Sequence, residues 1–502
     1  MQMTSNQIPQ RYNDVTSILI HSRSCWDNTH IVADRPIRTP FFASRLLSDI
    51  SRAGNYHLNS RLKIRREKFG CLVQNRDNFT IRAFSADVHE LFKNLVVPKR
   101  GEELLRDLAE ADQSFIASLL SDRFLVPVET NGHPDSRAEF FDFPDGDGLM
   151  VNTPIAIDLE ITLKCNRRCS YCAYQSGPNV DRSNELPTAF WLKVLDQARE
   201  AGVFSIEFTG GDPLTREDWF TVLHRADELG LFYTINSDLT GTPEATLSQL
   251  KSLQNLIAVQ TTIDGPSPEI HDRLRGRGSL KKTLIGVERL VEKGIPVHAG
   301  MIISKHNFNQ VQAVAKLCRD VGIGSLFVGS LYAAGRARDR LSDLPTNEQL
   351  GKASRAYTKA VCEGLVQPVH PSFYHLIPLY KDDPKSFNHL HNNPNMVDAG
   401  IYNFRIDPAG KVFTSIKLED TPVFFVGDAS KDDIMSIWKQ SPELAVLREI
   451  YKNSKERNHY HALDTTAVGG PSMTLSLISA DEIRNAQKFR DSESLMHAPG
   501  AA

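Results

Sequence analysis

Three of the seven cysteines in the chain, Cys165, Cys169 and Cys172, stand together as CNRRCSYC. An odd total with three members crowded into one loop does not make a disulfide framework. It points to a reducing compartment and a metal site. Three thiolates from one short loop can hold three corners of a cubane iron–sulfur cluster, which leaves the fourth iron open to a substrate or cofactor. Structural zinc normally takes four protein ligands, and no fourth Cys or His lies close in sequence. Zinc and a loop of inert reduced thiols stand as the alternatives.

The elements around this loop have a regular rhythm. Strand-like IAIDLEIT (155–162) leads directly into the cysteines. A helix then starts with Pro187 at N1, carries Trp191, Leu195 and Ala198 on one face, and stops at Gly202. VFSIEF (203–208) reads as a strand, followed by a helix opened by Thr215 and closed by Gly230. LFYTIN, LIAVQTTI, VHAGMII and SLFVGSL continue the strands, with helices between them, among them one over 279–293 and one ending near Gly322. About six β/α units of this kind predict a parallel sheet with ligands at the strand C-termini, and a partial barrel rather than a closed one of eight.

The rest of the chain bounds the answer. It has 502 residues, 41% apolar and 24% charged, with a net charge of -3, so nothing in bulk electrostatics draws it to nucleic acid or an anionic membrane. An apolar run of about 18 residues is missing, as is an apolar stretch behind N-terminal basic residues, so the expectation is a cytoplasmic protein without a membrane span. Residues 1–55 are polar, mixed and unassigned. Residues 56–130 read as a small α+β module: a hairpin over Leu62–Phe84 with Asn75, Asp77 and Asn78 at its turn, helices around 87–95, 102–111 and 113–120, and a short apolar run at 124–128. A polar linker covers 131–150, the barrel 151–345 and a helical bridge 346–395. A second α+β region covers 396–475, with a turn at Pro408-Ala409-Gly410. Residues 476–502 form a tail.

The cysteine spacing, placed after the first strand of a partial β/α barrel, resembles the radical S-adenosylmethionine (SAM) superfamily. The resemblance implies that Cys165, Cys169 and Cys172 ligate one 4Fe–4S cluster and that SAM chelates its open iron. One-electron cleavage of SAM then gives a 5′-deoxyadenosyl radical that removes hydrogen from a substrate. Gly210-Gly211-Asp212-Pro213 resembles the motif that holds the SAM ammonium, with Asp in place of the usual Glu. Tyr171 matches the aromatic near the adenine. Asn236 and Ser237 fall where the ribose is contacted, and Thr262 where a serine reaches the SAM carboxylate. Arg275 is the arginine assigned to that carboxylate, with Arg273 and Arg277 as alternatives. The family also needs an electron donor such as flavodoxin or ferredoxin.

Two flanking regions extend the likeness. Residues 397–471 resemble the SPASM extension of radical SAM peptide maturases, which binds auxiliary clusters, but the ligand positions hold Val397, Ser415, Asn458, His461 and Ala467. Val and Ala offer no lone pair to iron, so the expectation is a twitch-like scaffold without clusters. His459 and His461 read as exposed imidazoles rather than a second metal site. Residues 60–128 resemble a PqqD-like, winged-helix-like precursor-recognition domain, which binds a leader peptide as an added strand. The basic run Arg61, Lys63, Arg65, Arg66 and Lys68 favours an acidic partner, and a DNA-binding winged helix is the alternative. Cys71 and Cys318 fall in apolar patterns and read as core, whereas Cys362 stands between barrel and cap as a candidate hydrogen donor. The expected function is modification of a ribosomally made precursor peptide, by epimerisation or by a crosslink or other side-chain change. The alternatives are radical chemistry on a small metabolite and a non-catalytic, cluster-bearing binding protein.

Overall fold

The computed structural model describes residues 18–21, 31–33, 54–67, 70–76, 80–105, 116, 119–120, 123–128, 138–143, 151–331, 334–371, 403–414, 425–445 and 448, in two compact units that divide near Asp147. In the first unit β1 (Ile18–His21), β2 (Ile31–Ala33), β4 (Leu62–Glu67), β5 (Gly70–Asn75), β6 (Thr80–Ser85) and β9 (Glu139–Phe141) form one sheet in the order β2-β1-β6-β5-β4-β9. β3 (Asn55–Leu58), β7 (Lys99–Arg100) and β8 (Leu125–Pro127) form a second, ordered β7-β3-β8, and the helices are α1 (Ala86–Asn94) and α2 (Gly101–Leu105).

Alternation along β4 and β5 puts Leu62, Ile64, Cys71 and Val73 on one face, where they pack with Phe92 of α1 and Phe124. Cys71 is core, as expected, and burial pushes its thiol up. Three sequence expectations change here. The hairpin over Leu62–Phe84 is a three-stranded meander, β4-β5-β6. The linker contributes β9, which adds to β4 in parallel, and the unassigned N-terminal stretch contributes β1, which adds to β6. The basic run is not one solvated face: Arg61 and Arg66 are exposed, but Lys63 and Arg65 are buried, and Arg65 Nε pairs with Glu67 Oε1 at 2.6 Å.

The second unit is built on a ten-stranded sheet. Its parallel strands are β10 (Ala156–Thr162), β11 (Ser205–Gly210), β12 (Phe232–Asn236), β13 (Leu256–Thr262), β14 (Val297–Ile303), β15 (Ser325–Ser330) and β16 (Gln367–Pro371). β17 (Asn403–Ile406), β18 (Lys411–Phe413) and β19 (Phe425–Asp428) follow, and the order is β16-β15-β14-β13-β12-β11-β10-β17-β18-β19. β17 is parallel to β10, and β18 and β19 are antiparallel additions. The helices are α3 (Thr188–Glu200), α4 (Trp219–Glu228), α5 (Glu244–Ser252), α6 (Pro268–Arg275), α7 (Ser279–Glu292), α8 (Val311–Asp320), α9 (Asn347–Cys362) and α10 (Ile434–Gln440). α3 shows why they pack: Trp191, Val194, Leu195 and Ala198 recur at helical spacing and are all buried. The partial β/α barrel expected from the rhythm is present.

Details differ from expectation. Pro187 is the residue before α3 rather than its first, and α4 starts after Asp218, with Pro213–Thr215 forming a separate 3-10 turn. The bridge after the barrel holds α9 but also β16, whose Pro368 and Pro371 are tolerated because β16 is the sheet's edge. A strap of 3-10 geometry, Gly335–Asp343, lies between β15 and α9. On the other side, Arg405 of β17 pairs with Glu160 of β10, both buried, and stacks 4.6 Å from the Phe413 ring. Val397, Ser415, Asn458, His459, His461 and Ala467 lie outside the described residues.

Candidate functional site

The cysteine loop is rooted at the end of β10. Glu185 Oε1 accepts from Thr162 Oγ1 at 2.7 Å and from Leu163 N at 2.9 Å, closing the strand end. Lys164 bridges to Gly177, and Cys165 N donates to Gly177 O at 3.1 Å, so the loop leaves and returns at one point. Midway, Ser170 N donates to Leu274 O at 2.9 Å, which ties the loop to the end of α6.

Cys165, Cys169 and Cys172 line one cavity of about 900 Å³, counted out to its open mouth. The ends of β11 to β15 supply the rest of the wall, including Thr209, Gly210, Gly211, Asn236, Ser237, Gln260, Thr262, Ile302 and Ser330. That is the strand C-terminal end, where an open parallel sheet binds its ligands. Burial, then the charges of Asp212 and Asp238, push the Cys165 thiol up, and burial does the same to Cys169. A metal entering the loop must therefore displace protons, as thiolate ligation requires.

Of the other residues expected in the site, Gly210, Gly211, Tyr171, Asn236, Ser237, Thr262 and Arg275 all line this cavity. The glycines are required by close packing. A Cβ at Gly210, where φ is +105°, would lie 2.4 Å from Thr162 O, and one at Gly211 would lie 2.1 Å from Lys164 O. Asn236 Nδ2 donates to Glu207 and, at 2.9 Å, to Thr209 Oγ1. Arg273 and Arg277 are exposed and do not line the cavity, so among the three eligible arginines the structure brings in Arg275.

Asp212 is placed differently from expectation. Its Oδ1 accepts from Leu214 N at 3.0 Å, while its Oδ2 accepts from Ser237 Oγ at 2.8 Å and from Asp238 N at 3.1 Å. The carboxylate is 2% exposed and lies behind the wall rather than on it. Burial, then the charge of Asp238, push its pKa up to about 7. Its work is to hold the turn after β11 against the turn after β12. The carboxylate that does line the cavity is Asp238, which pairs with Arg167 Nε at 3.2 Å and lies 3.9 Å from Cys165 Sγ.

Tyr171 is likewise engaged by its hydroxyl. It donates to Asp264 Oδ2 at 2.5 Å and accepts from Arg275 Nη1 at 2.7 Å, with Arg275 and Asp264 3.6 Å apart. Burial works against the Arg275 charge, but Cys169, Tyr171 and Asp264 around it outweigh that and push its pKa up. Asp264 is fixed in turn by Ile302 N on its Oδ1 and by Asn307 Nδ2 on its carbonyl, at 2.9 and 2.8 Å. His271 Nδ1 accepts from Asp264 N at 3.1 Å, and burial, then Arg275 and Arg167, lower its pKa to about 3, so it stays neutral. Asp238, Asp264, Gln260 and Arg336 are cavity residues or their supports that the sequence reading missed. Asp238 directly follows Asn236-Ser237, and Asp264 stands two residues after Thr262, so both had a signal.

Cys318 is buried on α8, as expected. Cys362 is the last residue of α9, which runs from the strand-end side back to the start of β16. The side chain of Cys362 lies outside the described residues.

The donor set fits a cluster with an organic ligand. Cys165, Cys169 and Cys172 bring three thiolates to one cavity, the number that a cubane with one open iron takes. The cavity residues Asn236, Gln260, Arg275 and Arg336 also carry buried polar atoms (Oδ1, Oε1, Nε and Nη2) with no hydrogen-bond partner, which a polar ligand would satisfy.

Comparison with known proteins agrees with this chemistry. Residues 159–329 match the Radical SAM superfamily. The PqqA peptide cyclase of Ruegeria pomeroyi is 27% identical over 214 residues, which cover 42% of this chain and 57% of that protein. The mycofactocin maturase MftC of Mycobacterium tuberculosis is 28% identical over 305 residues, covering 60% of this chain and 74% of that one. SuiB of Streptococcus suis, solved with SAM and with the precursor peptide SuiA, shares the fold with TM-scores of 0.57 and 0.58. Its identity is 14%, over 78% of this chain and 90% of SuiB.

Proposed function

We propose that this chain, an enzyme whose residues 159–329 are a radical SAM domain, modifies a ribosomally made precursor peptide. The family works with a 4Fe–4S cluster and SAM. When bound, they supply one-electron cleavage of SAM and a 5′-deoxyadenosyl radical that abstracts hydrogen. The observation that carries the reading is that Cys165, Cys169 and Cys172 share one cavity with the polar strand ends of β11 to β13.

In this reading the three cysteines hold the cluster. Gly210 and Gly211 let the β11 turn sit close against the loop, and Asp212 locks that turn to Ser237 and Asp238. Asn236, Gln260 and Thr262 orient the nucleoside cofactor, and Ile302 and Leu331 add apolar surface to the same wall. The peptide substrate is supported by the names of the two relatives and by the SuiA complex of SuiB. Leader recognition falls to the first unit, and a flavodoxin or ferredoxin supplies the electron. Among the described residues no helix is long and apolar enough to cross a membrane.

Anaerobic reconstitution tests this directly. Wild type takes up about four iron atoms per chain and, with a reductant, converts SAM to 5′-deoxyadenosine. The Cys165→Ala, Cys169→Ala and Cys172→Ala variants each abolish that product. Wild type that binds the cluster but releases no 5′-deoxyadenosine refutes the catalytic reading. Deletion of residues 1–130 with no effect on turnover of a synthetic precursor refutes the leader reading.

A further inference from the structure

One segment outside the residues assigned above reaches the cysteine loop from the far side of the barrel. It is the strap Gly335–Asp343, which follows β15, five strands away from β10 in the sheet. Two of its residues close on the loop. Arg336 N donates to Cys172 O at 3.1 Å, and Arg336 Nε donates to Cys169 O at 2.8 Å. Gly335 sits at φ +49°, and a Cβ there would lie 2.4 Å from Cys172 O and 2.3 Å from Ala173 O. Only glycine permits this approach. The other end of the strap is pinned as well: Asp343 accepts from His306 Nε2 at 2.8 Å and from Arg340 Nε at 2.7 Å, with Lys305 Nζ at 3.5 Å.

The guanidinium of Arg336 does more than close a hydrogen bond. It lines the cavity shared by the three cysteines, and its Nη2 is buried without a partner. A buried donor left unmade is costly, so this group is set to face something electron-rich in the cavity.

We propose that the Arg336 side chain is a positioning group for the iron–sulfur cluster, stapling the carbonyl of Cys169 and holding a fixed positive charge beside the thiolates. The proposal rests on the reading that these cysteines carry the cluster. Reduction adds one negative charge to the cluster, and a nearby cation stabilises that state more than the oxidised one. The staple keeps the thiols in register, and the charge makes the cluster easier to reduce.

The test uses the full chain reconstituted anaerobically as wild type, R336K, R336Q and R336A. Three quantities are read: iron content, iron loss to a chelator, and midpoint potential by titration followed in electron paramagnetic resonance. R336A is expected to lose iron about tenfold faster than wild type. R336K keeps charge and donor and stays close to wild type in both measurements. R336Q keeps a donor without the charge; at the poise where wild type is half reduced, its reduced-to-oxidised ratio falls about tenfold, equivalent to 59 mV for one electron. R336Q with full iron and an unchanged potential overturns the charge, and R336A with wild-type iron retention overturns the staple. Should R336A fail to fold by circular dichroism, the staple is judged on R336L, and R336L with wild-type retention overturns it. Wild type without iron fails the underlying reading, whereas wild type with iron and indistinguishable variants fails this inference alone.

Discussion

Asp343→Asn is the sharpest probe of the strap, because its cost can be worked from the surroundings of one carboxylate. Asp343 is 6% exposed. Burial alone would raise its pKa, but hydrogen bonds from His306 and Arg340 and their charges outweigh burial and bring it down to about 2, from an ordinary 3.8. A folded-state value below the unfolded one means stability that is present above 3.8 and lost as pH falls through about 2. At about 1.4 kcal/mol per pH unit, the ionised group contributes about 2 kcal/mol at pH 6 and about 1 kcal/mol at pH 3. Asn cannot ionise, so its deficit relative to wild type should shrink by about half across that interval. Urea unfolding of the iron-free protein, followed by tryptophan fluorescence, measures it; Trp191, Trp219 and Trp438 all report on the second unit. A deficit equal at pH 6 and pH 3 would mean that neutral hydrogen bonds, not charge, pin the strap. No deficit at pH 6 would refute the reasoning altogether.

Other substitutions test the remaining geometry. Gly211→Ala places a methyl 2.1 Å from Lys164 O and should sharply reduce iron uptake on reconstitution, whereas Gly241→Ala, with nothing within 4 Å, should leave uptake unchanged despite its φ of +67°. Arg405→Met strands the buried Glu160 carboxylate and should cost about 3–5 kcal/mol of unfolding free energy, with most of it recovered in the Glu160→Gln/Arg405→Met double variant. Cys362→Ala should leave both 5′-deoxyadenosine release and peptide product unchanged. Normal SAM cleavage with a lost or altered product would show that the thiol reaches the substrate after all.

Much of this was legible in the sequence wherever a local rule coincided with the tertiary outcome. The cysteine spacing, the glycine pair and the strand–helix rhythm each follow from short-range chemistry, and the structure gathers them at one end of the sheet. What escaped was long-range. β16 reads as QPVHP, a breaker by composition, and is a strand because an edge position does not need the missing N–H groups. β9 has only three residues inside a polar stretch and exists because β4 offers it an edge. Asp212 reads as a ligand contact by motif, and the structure adds that it accepts from Leu214, Ser237 and Asp238, a pairing between turns that no spacing encodes. Arg336 stands 164 positions beyond Cys172 (336 − 172), and only the closing of the barrel wall makes them neighbours.

The strand that carries the cysteine loop has a partner on each side, β11 on one and β17 on the other. Fraying therefore starts elsewhere, at the rims of the sheet, and the root of the loop is among the last places to come apart. The expected order is therefore insertion of the inorganic core into a finished frame rather than as a step of folding, and an unchanged circular dichroism spectrum on stripping the iron is the result that checks it.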